Sequence, residues 1–152
     1  MNNIKPLDEI IQEFEDLRAN FKVFSKNSED NRDVLLEYQH RFIDLKADLR
    51  YWHKKVAGEY TRRDEKACTG IKYRIAVAIS EGNFKDEEGK LIYDKCSISQ
   101  AEKLAAGSEK YKEFLSQRAF YKESLINIAD LREDIANYVL IINNRLKYNS
   151  SF

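Results

Sequence analysis

Apolar residues recur at steps of three and four along most of this chain, the period of one helical face. The first series is Leu7, Ile10, Ile11, Phe14, Leu17, Phe21 and Phe24. Pro6 suits the first turn of a helix, and Asp8 and Glu9 suit its positive end, so a helix is expected over about 6–25. The polar run SKNSEDN, residues 25–31, interrupts the pattern. Ser28, Asp30 and Asn31 can each cap a second helix.

The second series, Leu35, Tyr38, Phe42, Leu45, Leu49, Trp52 and Val56, alternates three and four and is a heptad seam. The next two seam positions are Glu59 and Arg63, where the register fails. The stripe resumes in another phase at Tyr60, Ala67, Ile71, Ile75 and Ala78 or Ile79. Gly58 and Gly70 bracket the fault, each weakening a helix by about 1 kcal/mol relative to alanine. Two readings stay open. Residues 31–81 form one helix, roughly 75 Å long, or they form a helix kinked within 58–70.

Residues 82–97 read as a connector. Gly82-Asn83 is a helix stop, and Glu88-Gly89, between FKD and KLIY, suits a tight hairpin turn. Ser99 with Glu102 is a capping box that opens a third helix over about 99–147. Its stripe is Leu104, Tyr111, Leu115, Tyr121, Leu125, Ile128, Ile135, Tyr138, Ile142 and Leu146. Two long helices flanking one connector should fold back antiparallel, seam on seam. The expected fold is all-α: one helical domain over 1–152, with a short N-terminal helix and a long, coiled-coil-like helical hairpin. A seam that long outruns one hairpin, so a homo-oligomer is expected. Tyr38, Phe42, Leu49, Tyr121, Ile128 and Ile142 carry that expectation.

Composition narrows the function. Hydrophobic content of 43% with 12% aromatics is more apolar surface than a disordered chain leaves in water. No apolar run approaches about 18 residues, so no membrane span is expected. The opening MNNIKPLDEIIQEFEDL is acidic and amphipathic, unlike a transit peptide, which makes the cytoplasm the expected compartment. Cys68 and Cys96 read as reduced thiols, and His40 and His53 stand at no metal-ligand spacing from them. Neither a metal nor another cofactor is expected. Phosphate-cradling glycine loops, HExxH and GxSxG are all missing from the sequence, so the expectation is a protein that is not an enzyme.

Charge supplies the one functional signal. The chain is formally neutral, yet Arg50–Arg74 holds eight Lys or Arg against three acids. Of these, Lys54, Lys55, Arg62, Arg63, Lys66, Lys72 and Arg74, with Tyr73 among them, are the candidate nucleic-acid-binding residues. Cations that follow a phosphate backbone, with rings on which bases stack, are what sequence-tolerant single-strand binding needs. A solvated helix face explains the same charges, and Trp52, on the seam, belongs with the core. Both explanations remain open for the patch as a whole.

The segment YDKCSISQAEKLAAGSEKYKEFLSQRAFYKESLINIADLREDIANYVLIINNRLK, with the basic run before it, resembles small helical proteins of phage recombination modules. Among these is the recombination-mediator family, which binds single-stranded DNA and loads a recombinase. The likeness covers roughly residues 50–147 and has no counterpart for the N-terminal helix. It implies a non-enzymatic accessory of DNA metabolism that forms a closed oligomer in the host cytoplasm. A helical adaptor or inhibitor that engages a larger protein, without nucleic acid, is the other function class the pattern allows.

Overall fold

The computed structural model describes residues 4–27 and 31–149. The described chain is all-α, as its periodicity predicts. Its five helices, in chain order, are α1 (Leu7–Asn27), α2 (Arg32–Thr61), α3 (Glu65–Ser80), α4 (Ile98–Gly107) and α5 (Glu109–Asn149). No helix among the described residues is long and apolar enough to cross a membrane.

The starts and stops are set by individual side chains. Pro6 directly precedes α1, and its carbonyl accepts from the Ile10 N–H. At α2 the cap is Asn31, whose Oδ1 accepts from the N–H groups of Asp33 at 3.0 Å and Val34 at 3.3 Å. Ser28 and Asp30, the other two candidates, lie outside the described residues. Gly82 ends α3 with φ of 74°, and the Asn83 N–H returns to the Ala78 carbonyl at 2.8 Å. That is the six-to-one bond of a glycine-terminated helix.

Three sequence expectations are corrected. Residues 31–81 are two helices rather than one, and the break lies within the 58–70 interval of the second open reading, although Gly58 and Gly70 themselves are both helical. It falls at Asp64, whose Oδ1 accepts from the Ala67 N–H at 2.8 Å and so starts a new helix. A carboxylate that offers the backbone a local acceptor competes with continued helix, and here it prevails. The third helix also divides. Ser108 is buried; its Oγ donates to the Ala105 carbonyl at 2.8 Å and accepts from the Tyr111 N–H at 3.3 Å, closing α4 and opening α5. Finally, the cap of α4 is Ser97 rather than Ser99, with its Oγ accepting from the Gln100 N–H.

The chain divides into two compact units, residues 1–56 with 124–152 and residues 57–123. In the first, α1, the start of α2 and the end of α5 share an aromatic core. Phe42 stacks on Tyr138 with ring centres 5.1 Å apart, and Phe14 and Phe21 meet both rings edge-on. These contacts set direction. Phe21 meets Tyr38 while the Trp52 Nε1 donates to the Lys5 carbonyl at 2.8 Å, so α1 runs antiparallel to α2. Gln39 bonds to Asn143 as Phe42 meets Tyr138, so α5 is antiparallel to α2 as well. Phe42, Leu49, Ile128 and Ile142, expected on an exposed seam, are buried in this core.

In the second unit α3 packs on α4 through small residues. Ala76, Ala101 and Ala105 are fully buried beside Ile75, Ile79 and Phe84. The connector, residues 81–97, makes one isolated antiparallel bridge, Lys85 to Leu91, around a turn with Gly89 at φ of 84°. Asp86 holds that turn, its Oδ1 accepting from the N–H groups of Glu88 and Lys90 at 2.9 Å each. A bridged turn stands where a small hairpin was expected.

Candidate nucleic-acid interface

The eight predicted residues are divided between the two units, and their surroundings differ. Lys54 and Lys55 belong to the first unit, and Lys55, though exposed, lies over rings of its own helix. Its Nζ lies 4.9 Å from the centre of the Trp52 ring and 6.0 Å from that of Tyr51. The other six belong to the second unit.

Arg62 and Arg63 are adjacent, yet their environments are opposite. Arg62 has 76% of its side chain exposed and pairs with Glu59 at 3.0 Å. Arg63 has 18% exposed and is held by several groups. It donates to the Glu59 carboxylate at 2.8 Å, to the Glu59 carbonyl at 2.9 Å and to Gln117 at 3.3 Å. Its guanidinium lies 4.7 Å above the Tyr121 ring, and its Nε is buried without a hydrogen-bond partner among the described residues. Arg63 is therefore a structural residue at the α2–α3 break. Periodicity could have hinted at this, because Arg63 occupies a seam position.

The outer face of α3 presents the rest. At about 100° per residue, Lys66, Thr69 and Tyr73 share one stripe, while Lys72 and Arg74 lie to either side of Tyr73. All are exposed except Lys72, which is half-buried. Tyr73 is 59% exposed, a large ring left in solvent on a helix that buries its other face. Lys66 borders an open recess with the acids Asp64 and Glu65, so its charge is partly neutralised locally. Arg74 differs. It lines a groove of about 210 Å³ with Ile71, Ile75, Ala78, Phe84 and Lys110, and among the described residues no carboxylate contributes to that lining. Lys110, in the first turn of α5, was missed from sequence because 36 residues separate it from Arg74. No local pattern marks it.

Among the described residues no group of three His, Cys, Asp or Glu could hold a metal ion. Cys68 is buried and Cys96 half-buried, both as free thiols. No family model matches the chain, and no similarity to a curated protein or a solved structure was found.

Proposed function

We propose that this is a non-enzymatic, phage-type accessory of DNA metabolism that binds single-stranded nucleic acid through the outer face of α3. One observation carries the reading: the exposed ring of Tyr73 stands between the cations of Lys72 and Arg74, with Lys66 two turns away on the same stripe. An exposed ring offers a base a stacking platform and the flanking charges track its phosphates, without a pattern that reads sequence. The site is thus narrower than the basic run. It keeps Lys66, Lys72, Tyr73 and Arg74, with Arg62 at its edge, and releases Arg63, Lys54 and Lys55.

Titration of labelled oligonucleotides across a salt series tests this. Changing Lys66, Lys72 and Arg74 together to glutamine should weaken binding to every sequence alike and lower the log–log salt slope by roughly 0.7 per lost phosphate contact. Tyr73→Ala should cost about 1–3 kcal/mol of binding with the slope unchanged. Wild-type protein that binds no single strand at low salt would defeat the reading.

A protein-binding adaptor is the second reading, and Phe120 favours it. This ring is 64% exposed on α5, with Leu115 also exposed on the same helix. The same positions, rather than the buried seam of α2, are where self-association would occur in an oligomeric accessory. Light scattering of wild type and Phe120→Ser is the check; a 17.9 kDa species for both at micromolar concentration would remove the oligomer from the proposal.

A further inference from the structure

We infer that the groove between α3 and the first turn of α5 is a subsite for one nucleobase and its phosphate, with Lys110 as a binding residue alongside Arg74. The inference rests on the reading of α3 as a nucleic-acid surface and extends it to a second helix. The floor of the groove is apolar, made by Ile71, Ile75, Ala78 and Phe84, of which Ile75 and Phe84 are nearly covered. Its two polar lining residues are both cations, and neither is ion-paired among the described residues. Two like charges beside one recess, with no carboxylate in its lining, repel each other until an anion enters. Around α3, Arg74 is about 100° from Tyr73, so a strand stacked on Tyr73 reaches the groove by passing over Arg74.

Size sets the ligand class. A complete small-molecule pocket holds about 300–1,000 Å³. At about 210 Å³ this groove accommodates part of a ligand, a flat apolar group whose anionic remainder continues outside. A nucleotide within a strand has that form: the ring lies on Ala78 and Phe84, and the phosphate lies between Arg74 and Lys110. The lysine acts as a point charge and the arginine as a planar fork, so the pair holds the backbone without selecting a base.

The test uses the full chain with two probes of equal length, a fluorescein-labelled oligothymidylate and an abasic deoxyribose-phosphate strand. Lys110→Gln should weaken both by about fivefold at 0.1 M salt and lower the log–log slope by about 0.7, the loss of one single-strand contact. Lys103→Gln, an exposed lysine on α4, should change neither. Ala78→Leu fills the floor. It should weaken oligothymidylate by at least about fivefold, the lower end of a base-stacking contribution, and leave the abasic strand unchanged. Should Ala78→Leu fail to fold by circular dichroism, the slope of Lys110→Gln decides alone. Wild-type binding with Tyr73→Ala weakened but Lys110→Gln unchanged would overturn the subsite while sparing α3. Equal loss on both probes for Ala78→Leu would overturn the base assignment. Binding of neither probe by wild type would remove the α3 surface itself, and the subsite with it.

Discussion

The two units carry almost the same charge and use it differently. Residues 57–123 hold thirteen Lys or Arg against twelve acids, and the other unit holds thirteen against fourteen. In the first unit the helices are spaced by large rings, with Phe14, Phe21, Phe42 and Tyr138 filling the centre. Its cations are partly absorbed: Arg145 lies over Phe21, Lys55 over Trp52, and Lys5 pairs with Glu13. In the second unit alanines let α3 and α4 close together, and the outer face of α3 has nothing large to cover. Net charge therefore says little about a binding surface here. Local arrangement, with Arg74 and Lys110 beside an acid-free groove, says more.

The comparison breaks first at the rings. Phe42 is fully buried against three other aromatic rings, so Phe42→Ala should destabilise the protein by about 3–5 kcal/mol in urea unfolding. A loss below about 1 kcal/mol would mean that the ring cluster is not the core of the first unit. Ala105 is the corresponding probe of the second unit. It has no exposed surface, and Ala105→Leu should cost about 1–3 kcal/mol by forcing α4 from α3. A neutral result would show that the close contact does not exist.

The adjacent arginines sharpen the contrast within one unit. Arg63→Gln removes an ion pair and a ring contact from a largely covered site, and should lower stability by about 1–2 kcal/mol after allowing for its residual exposure. It should leave the salt slope of nucleic-acid binding unchanged. Arg62→Gln should move stability by less than about 0.5 kcal/mol. Thermal melting of both variants separates them, and equal melting temperatures would refute the distinction.

The smallest effect concerns Lys5. Its hydrogen bond to Glu13 raises the ammonium pKa above the ordinary 10.5, further supported by the negative charges of Glu13, Asp48 and Glu9. A raised pKa in the folded state means that this stabilisation is complete below 10.5 and lost as pH climbs through the higher folded value. Melting of wild type and Glu13→Gln should differ slightly at pH 7 and converge at high pH or high salt, because the pair is exposed. A difference that grew with pH would contradict this.

The sequence by itself determined that the chain is helical, where the first and second apolar series lie, and that Gly82-Asn83 stops α3. Those features are local: a 3.6-residue stripe and a residue free to take positive φ need no distant partner. The interval of the break, 58–70, was legible as a seam fault, but its place at Asp64 was not, because two glycines in the same interval are as good a cause as a capping carboxylate. The division at Ser108 was hidden for a different reason. Its hydroxyl makes only short-range bonds, to Ala105 and Tyr111, but a buried serine in a helical stripe has the same periodicity as an exposed one.

Tertiary structure alone decided which cations are available. Arg63 is covered by a ring 58 residues away, at Tyr121, while its neighbour Arg62 stays in solvent. Tyr73 remains bare, at 59% exposed, although Ala76 of the same helix is fully buried against α4. The position of Lys110 beside Arg74 depends on the connector closing and α4 returning along α3. Charge on a helix is set one residue at a time, but its freedom to meet a phosphate depends on which distant side chains reach it first.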